Sequence, residues 1–270
     1  MIWLVPIGGK GVRTQALGEF KPFIEIEGQK MLTWALFSIK DKVLPQDTFI
    51  FTTTDYFRQK YHLEEQIKKI FLILGLNNSF KIFSSFSPLQ GSSCSVYLAK
   101  EELKTKEPVL ILNCDQYLDF ELPPVILPQT AHVVLFADFG HDCGYAKVEN
   151  NLISRFVEKN NISNLASAGV FIVSEAKALL WAIEKQFAQK NTTNGEFCIT
   201  PTLNYLIEKG FQIHPLSAKS YYDLGSLAGI DYFSRTPLAK YLAKVLNQLE
   251  KSQPQKSSFL SYSPLTLPLF

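Results

Sequence analysis

The chain opens with MIWLVPIGGKGVRT, residues 1–14, and this stretch decides the fold expected for its first half. Ile2 to Ile7 form a short apolar run that stops at Gly8-Gly9. Periodicity alone does not separate such a run from a buried helix, but its length and the glycines behind it favour a buried β-strand. We therefore expect a first strand whose carboxyl end continues directly into a glycine-rich loop carrying Arg13.

Apolar runs and helical patterns alternate downstream of this strand. The predicted strands are 47–53, 79–84, 109–113 and 132–137, and the predicted helices are 29–40, 55–75 and 92–104. Such alternation is typical of βαβ units, so we expect an α/β fold with a mostly parallel sheet. Ligands bind at the carboxyl ends of the strands in such sheets, which singles out the glycine loop and the loop that carries Asp115.

The pattern changes after about residue 140, where we expect an α+β layer that covers a cleft. Asn150-Asn151 separates two short apolar runs and favours a hairpin turn. The predicted strands are 144–149, 152–156, 168–173, 211–216 and 220–223, and the predicted helices are 174–189, 197–209 and about 236–250. The last stretch, 252–270, is rich in Ser and Pro, so we expect an extended tail.

Composition excludes several classes of protein. The chain has 270 residues, 46% of them hydrophobic and 19% charged, which is too apolar for intrinsic disorder. Its net charge of +2 gives no overall attraction for nucleic acid, and no apolar run approaches the roughly 18 residues of a membrane span. We also expect no signal peptide, because a charged loop follows the first strand at once.

Cysteine usage indicates the compartment. The four cysteines, Cys94, Cys114, Cys143 and Cys198, form no CxxC pair, so a zinc ribbon is excluded. They are also too few and too scattered for a disulfide scaffold. We therefore expect free, buried thiols in a reducing cytoplasm.

The glycine loop, GGKGVRT at residues 8–14, has features of a phosphate-binding loop. It is neither a P-loop, since GK[ST] is absent, nor a full dinucleotide fingerprint, since Thr14 stands where the third glycine belongs. Glycines let backbone N–H groups approach phosphates, and Arg13 and Lys21 can neutralise phosphate charge. A glycine-rich turn with ordinary surface cations explains the same residues equally well.

Five blocks in order resemble the sugar-phosphate nucleotidyltransferases. The blocks are GGKGVR (8–13) with KPFIEIEGQKML (21–32), LQGSSCSVYLA (89–99), LILNCDQ (110–116), FVEK (156–159) with ASAGVFIVS (166–174), and YYDLGSLAGIDYF (221–233). The resemblance covers residues 1–235 and implies a three-layer α/β/α, Rossmann-like sheet of GT-A type. It implies a nucleotide-binding part at about 1–140, an acceptor-binding part at about 141–235, and a C-terminal helix and tail at 236–270. The forms VPIGG, CDQ and EKNNIS resemble the capsule and surface-polysaccharide branch.

The resemblance also implies an activity and its residues. The activity is a Mg²⁺-dependent transfer that joins an NTP to a sugar 1-phosphate or similar phosphorylated acceptor, releases pyrophosphate and supplies surface glycan synthesis. The implied catalytic residues are Arg13, Lys21 and Asp115, and the implied nucleotide-binding residues are Gly8, Gly9, Gly11, Arg13, Gln90 and Gly91. The implied acceptor-binding residues are Glu158, Lys159 and Gly169, and the implied metal ligands are Asp115 and Asp223. Glu196, in NGEF before a predicted helix, is a further candidate acceptor contact, although it could simply stabilise the helix N-terminus.

Ordinary structural roles stay open for several of these residues. Asp115 can end a strand, Asp223 can cap the helix that begins near Ser226, and Glu158-Lys159 can be solvated charges. The four histidines, His62, His132, His141 and His214, lack metal-ligand spacing and are read as structural.

Two other functions compete with the transferase. One is an NDP-sugar-dependent glycosyltransferase, although Asp115-Gln116-Tyr117 lacks the second acid of the usual Asp-x-Asp motif and Asp119 is the nearest substitute. The other is a non-catalytic regulatory protein that binds nucleotide sugars. The final helix has an apolar stripe that suits either a homo-oligomer contact or packing within the chain.

Overall fold

The computed structural model describes residues 1–9, 11–140 and 142–252. The strands are β1 (Ile2–Pro6), β2 (Glu25–Ile26), β3 (Gln29–Lys30), β4 (Thr48–Thr54), β5 (Phe80–Ser85), β6 (Val109–Leu112), β7 (Gln116–Asp119), β8 (Thr130–Ala137), β9 (Gly144–Glu149), β10 (Leu152–Glu158), β11 (Leu165–Val173), β12 (Gln212–Ser217) and β13 (Ser220–Asp223). The α-helices are α1 (Met31–Phe37), α2 (Asp55–Lys60), α3 (Leu63–Leu74), α4 (Ser92–Tyr97), α5 (Ala176–Ala188), α6 (Ile199–Glu208), α7 (Leu227–Arg235) and α8 (Pro237–Ser252), and short 3₁₀ helices lie at Val12–Thr14, Lys21–Phe23 and Lys40–Lys42. The predicted tail from residue 253 onward and the structural role predicted for His141 lie outside the described residues.

Within the described residues the main sheet has nine strands, of which β5, β4, β1 and β6 lie side by side and parallel. Beyond β6 the sheet continues with β11, antiparallel to both β6 and β8, and with β12 parallel to β8. The β9–β10 hairpin joins the start of β11 through Tyr145 and Ala166. The predicted α/β class is confirmed, and the second half of the chain extends the same sheet.

Helices cover both faces of the sheet, as alternate residues of β1 demonstrate. Trp3, Val5 and Ile7 belong to a core that includes buried side chains of α1, α3 and α8. Ile2 and Leu4 belong to a second core built with α4, α5 and α6. A strand buried on both faces is expected at the centre of a parallel sheet, so the protein has three layers.

Three predicted helices depart from their apolar patterns. The predicted helix 29–40 is only Met31–Phe37 (α1), because residues 29–30 form β3. The predicted helix 55–75 is two helices, because His62 adopts a left-handed backbone with φ of 48° between α2 and α3. The predicted helix 92–104 ends as α4 at Tyr97, after which Leu98 and Ala99 donate to carbonyls only three residues back. Apolar spacing continues through both breaks, so periodicity does not detect them.

The remaining local predictions include the hairpin turn and the final helix. Asn150 and Asn151 both have positive φ, as a tight hairpin turn requires. Helix α8 packs Ala239, Ala243 and Leu246 into the core, while Tyr241 on the same helix is exposed, so a homo-oligomer contact of this helix stays a prediction. Over the described residues no helix combines the length and the apolar character needed to cross a membrane.

Candidate active site

Two adjoining cavities lie beyond the carboxyl ends of β1 and β6. The glycine-loop cavity, of about 520 Å³, is lined by residues that include Gly8, Gly9, Gly11, Lys21, Gly91 and Glu196. The hairpin cavity, of about 560 Å³, is lined by residues that include Glu158, Gly169 and Asp223. Both are lined by Arg13, Ser92, Asn113, Asp115, Asp142 and Lys159. All the sequence-predicted site residues therefore meet at one cleft except Gln90, which is exposed and lines neither cavity.

Lys21 and Asp115 form an ion pair at the floor of this cleft. The Lys21 Nζ donates to Asp115 Oδ2, and the two side chains are only 13% and 23% exposed. Burial opposes ionisation of Asp115, but the adjacent Lys21 ammonium outweighs it and holds the pKa of the carboxyl below its usual value. Burial likewise disfavours the Lys21 ammonium, yet the attraction of Asp115 raises the pKa of Lys21 on balance. Both groups are therefore charged at neutral pH.

Asp223 lies beside Asp115 because β13 pairs with β7. The backbone N–H of Leu224 donates to the Asp115 carbonyl at 2.9 Å, and Asp223 is in register with Gln116. The Asp223 carboxylate accepts from the Gly225 N–H at 2.8 Å and from the Ser226 hydroxyl at 2.6 Å. The two predicted metal ligands, 108 positions apart by their numbers, are thus neighbours.

The cap of α7 is Ser226, so the alternative that made Asp223 the helix cap is wrong. The Ser226 Oγ accepts from the Gly229 N–H at 3.1 Å while donating to Asp223. One hydroxyl therefore fixes both the start of α7 and the orientation of the Asp223 carboxylate.

Gly225 is a site residue that the sequence reading missed. A Cβ at this position would lie 2.7 Å from Asp115 Oδ2, 3.0 Å from Asp223 Oδ1 and 3.0 Å from Lys21 Nζ. A side chain at this position would therefore collide with the two carboxylates and the ammonium that converge beside the Gly225 backbone. The only signal in the sequence was the position of Gly225 directly after the Asp223-Leu224 pair.

The pair of carboxylates beside Gly225 suits a hard cation. Among residues 1–9, 11–140 and 142–252 there is no group of three or more His, Cys, Asp or Glu side chains that could hold a metal by themselves. A pair of carboxylates, however, fits Mg²⁺, which commonly takes one or two carboxylates and completes its shell with waters and substrate phosphates. Asp115 and Asp223 can therefore hold Mg²⁺ together with a phosphorylated ligand.

The glycine loop packs so closely against neighbouring residues that two of its glycines leave no room for a side chain. A Cβ at Gly8 would lie 2.8 Å from the Thr53 Cα, and one at Gly11, where φ is 58°, would lie 2.9 Å from the Lys21 Cβ. Gly9 has open space around the corresponding position. Arg13 is exposed beside this loop and has no ion-pair partner among the described residues, so its guanidinium is available to an anion.

The loop after β5 is fastened to the segment before α6. Gly91 has φ of 108°, and its Cβ would lie 2.5 Å from the Phe197 carbonyl oxygen. Phe197 donates to the Gln90 carbonyl at 2.8 Å, and its own carbonyl accepts from Ser93 at 2.9 Å. This connection brings Glu196 to the cleft, where its carboxylate lies 3.6 Å from the Lys159 Nζ.

Glu158 and Lys159 lie at the end of β10, facing the hairpin cavity. Burial raises the pKa of Glu158, although Thr200 and Lys159 partly oppose the shift. The Glu158 Oε2 is buried and has no hydrogen-bond partner within the described part of the chain. Gly144 passes so close that a Cβ there would lie 2.8 Å from this oxygen.

Gly169 occupies a bulge in β11 with φ of 68°. The space in front of it is filled by Asn113, whose Nδ2 lies 2.5 Å from the position of a Cβ. Gly169 therefore makes room for an asparagine side chain, and its predicted contact with an acceptor stays a prediction.

Cys114 has no feature of a nucleophile. Burial raises the pKa of its thiol to about 12, so the thiolate is scarce at neutral pH. All four cysteines are free thiols, as the sequence predicted.

Comparison with solved structures identifies proteins of the same fold. A nucleoside-diphosphate-sugar pyrophosphorylase from Vibrio cholerae RC9 has a TM-score of 0.74 at 22% identity, over 87% of this chain and 100% of that one. An inositol-1-phosphate CTP transferase from T. maritima has a TM-score of 0.64 at 13% identity, over 93% and 96%. A UDP-glucose pyrophosphorylase complexed with UDP-glucose has a TM-score of 0.65 at 19% identity, over 93% and 98%.

Comparisons with protein-family models and with curated protein sequences give no match. The structural likeness spans nearly the whole of the neighbouring chains, but at identities of 13–22% it establishes a shared fold only. The chain thus shares the fold of nucleotide-sugar pyrophosphorylases and related nucleotidyltransferases.

Proposed function

We propose that the protein is a Mg²⁺-dependent nucleotidyltransferase that joins an NTP to a phosphorylated acceptor and releases pyrophosphate. The observation that carries this proposal is the convergence of Lys21, Asp115 and Asp223 around Gly225, at the junction of the two cavities. Proteins of the same fold are named for the same kind of reaction, which supports the proposal.

The proposed reaction needs positioning and charge neutralisation more than acid–base chemistry. An oxygen of the acceptor phosphate attacks the α-phosphorus of the NTP, a P–O bond forms, and the bond to the departing pyrophosphate breaks. The attacking oxygen is already anionic, so no strong general base is required. Two highly charged anions must be held in line, and fixed cations supply most of the rate enhancement in such transfers.

The described residues suit these roles. Arg13, exposed beside the glycine loop, would neutralise the leaving pyrophosphate, and Lys21 would bind the phosphate that is being transferred. Lys159 lines both cavities and would contact the acceptor phosphate. Asp115 and Asp223 would hold Mg²⁺, which would neutralise phosphate charge.

Gly8, Gly9, Gly11 and Gly91 are the proposed nucleotide contacts, and Gln90 is retained only as a contact of the base. Glu158, Gly169 and Glu196 are the proposed acceptor contacts. Synthesis of a surface glycan in the cytoplasm is the proposed setting, with which the four free thiols agree.

The geometry favours this reaction over an NDP-sugar-dependent glycosyltransferase. An Asp-x-Asp-like pair would require Asp119 to join Asp115. Asp119 instead lies at the far end of β7, 3.8 Å from the Lys42 Nζ, and lines neither cavity. The second carboxylate at Asp115 comes from Asp223.

Pyrophosphate release tests the proposal. The purified protein with Mg²⁺ would be assayed against the four NTPs and a panel of phosphorylated acceptors. We expect release with one NTP class and only in the presence of an acceptor, and a loss of at least about a hundredfold in Asp115→Ala.

Asp119→Ala is the matched control, since it removes a carboxylate from the same segment outside the cleft, and it should retain full activity. If no combination of NTP and acceptor releases pyrophosphate, or if both variants lose activity equally, the proposal is contradicted.

A further inference from the structure

The hairpin cavity has an excess of negative charge. Its acidic lining residues are Asp115, Asp138, Asp142, Glu158 and Asp223, and its basic lining residues are Arg13 and Lys159. Mg²⁺ at Asp115 and Asp223 would neutralise two carboxylates, while Arg13 and Lys159 would be used by phosphates. Three carboxylates then remain to face the body of the acceptor, which is an unfavourable environment for a ligand whose only charge is a phosphate.

The three remaining carboxylates are not equally free. Asp138 accepts from the Tyr145 hydroxyl and from the Gly140 N–H at 3.0 Å, so it is used in part within the chain. Asp142 is exposed, with no ion pair among the described residues. Glu158 keeps one buried oxygen without a hydrogen-bond partner there. Asp142 and Glu158 therefore supply the charge that a ligand would meet.

Aromatic side chains line the same cavity. The rings of Phe136 and Tyr221 stack with centroids 4.0 Å apart, and Phe171 lies on the cavity wall as well. An aromatic face attracts a cation through its quadrupole, and the combination of carboxylates with aromatic rings is how proteins bind amino and quaternary ammonium groups.

An independent observation supports a ligand site in this cavity. Gln116 lines it and is only 2% exposed, yet its Nε2 has no hydrogen-bond partner in the described chain. A buried amide donor without a partner costs free energy, so a ligand acceptor atom is expected beside it. A phosphate or hydroxyl oxygen of the acceptor would satisfy it.

We propose that the acceptor is a phosphate monoester that also carries a positively charged amino or ammonium group, bound by Glu158, Asp142 and the Phe136–Tyr221 rings. This inference rests on the proposed transferase function and specifies its second substrate class. The phosphate lies toward the Lys159 ammonium and the metal-binding carboxylates, and the cationic group lies toward the carboxylates of Glu158 and Asp142.

Binding of matched acceptor pairs tests the inference without turnover. Calorimetry with Mg²⁺ and an α,β-methylene NTP would compare glucosamine 1-phosphate with glucose 1-phosphate, and 2-aminoethyl phosphate with propyl phosphate. Each pair differs in a single cationic group. We expect the cationic member of at least one pair to bind about tenfold more tightly, the effect of one partly buried charge contact. Equal or tighter binding of both neutral members, or no binding of either cationic compound, would overturn the inference.

Variants assign this preference to the named carboxylates. Glu158→Gln and Asp142→Asn keep the side-chain shapes and should bring the ratio of the affinities within a pair to about one. Glu149→Gln changes the same hairpin at an exposed ion pair with Lys147, outside the cleft, and should leave the ratio unchanged. If neither cleft variant changes the ratio of the two affinities, the assignment is overturned. The two affinities are measured on the same variant, so a general loss of stability does not imitate a change in their ratio.

The failure of this inference differs from the failure of the proposed function. Pyrophosphate release with the neutral member of both pairs in preference to the cationic member would overturn the inference and leave the transferase intact. A binding preference for the cationic compounds without pyrophosphate release from any NTP would support the ligand preference and overturn the transferase function.

Discussion

Replacement of Gly225 by alanine tests whether the place where Asp115, Asp223 and Lys21 converge is the centre of the proposed site. The new Cβ would lie 2.7 Å from Asp115 Oδ2 and 3.0 Å from both Asp223 Oδ1 and Lys21 Nζ. Carbon and oxygen atoms in contact usually lie about 3.3–3.6 Å apart, so the carboxylates must move by roughly half an ångström or more. The φ of Gly225 is not in the left-handed region, so the backbone itself accepts alanine.

We expect this variant to fold and to lose function. A misplacement of about 1 Å in a reacting geometry costs about a hundredfold in rate, so pyrophosphate release should fall by about ten- to a hundredfold. Binding of Mn²⁺ in the presence of NTP, followed by electron paramagnetic resonance, should weaken by a similar factor and requires no knowledge of the acceptor.

Gly18→Ala is the control for Gly225→Ala, because its Cβ would meet Ile24 Cγ1 at an ordinary 3.5 Å. Both proteins should show cooperative thermal unfolding with a transition near that of the wild type. Full activity and unchanged Mn²⁺ binding in Gly225→Ala would refute the placement of the site. Loss of cooperative unfolding would refute the claim that the effect is local.

Two further predictions concern stability. Gly91→Ala should destabilise the protein by about 3 kcal/mol in urea unfolding, because it combines left-handed strain with a clash against Phe197. Gly210 has a φ of 90° but open space around the position of a Cβ, so Gly210→Ala should lose only the free energy of backbone strain. Equal losses of unfolding free energy in the two variants would contradict the proposed clash at Gly91. Burial and the neighbouring His214 lower the pKa of His132 from 6.5 to about 4 in the folded protein. As the pH falls below 6.5, His132 becomes protonated in the unfolded chain but not in the folded one, so the free energy of unfolding decreases. Between pH 7.5 and pH 5 the wild type should therefore lose about 2 kcal/mol more unfolding free energy than His132→Phe, and parallel pH profiles would contradict this.

The sequence predicted the layers of the fold well because each main strand carries its own signal. The run Ile2 to Ile7 and the run 109–113 are apolar on both faces and end at polar or glycine residues, so they were recognisable without knowledge of their neighbours. Strand β7 was not predicted, because Gln116–Asp119 has no such pattern and its partner, β13, begins about 100 residues later. Pairing across that distance has no local signature.

The same reasoning explains which site residues were missed. Charged residues such as Arg13 and Asp115 are conspicuous because they follow the carboxyl ends of predicted strands, where ligands bind in an α/β sheet. Gly225, Ser226 and Gln116 act through the place where the fold puts them: a missing side chain, a bridging hydroxyl and a buried amide. Their roles depend on the register of β7 with β13, which only the structure provides.

The Lys21–Asp115 ion pair sets a condition on what the cleft can bind. Both side chains are largely buried, so a ligand that engaged only one of them would leave the other as an uncompensated charge, which is costly. Free phosphate would compete with Asp115 for the Lys21 ammonium, and a lone divalent cation would compete with Lys21 for the Asp115 carboxylate. Under the proposed function, a metal–polyphosphate complex would compensate both charges at once, so we expect the pair to favour the complex over either component.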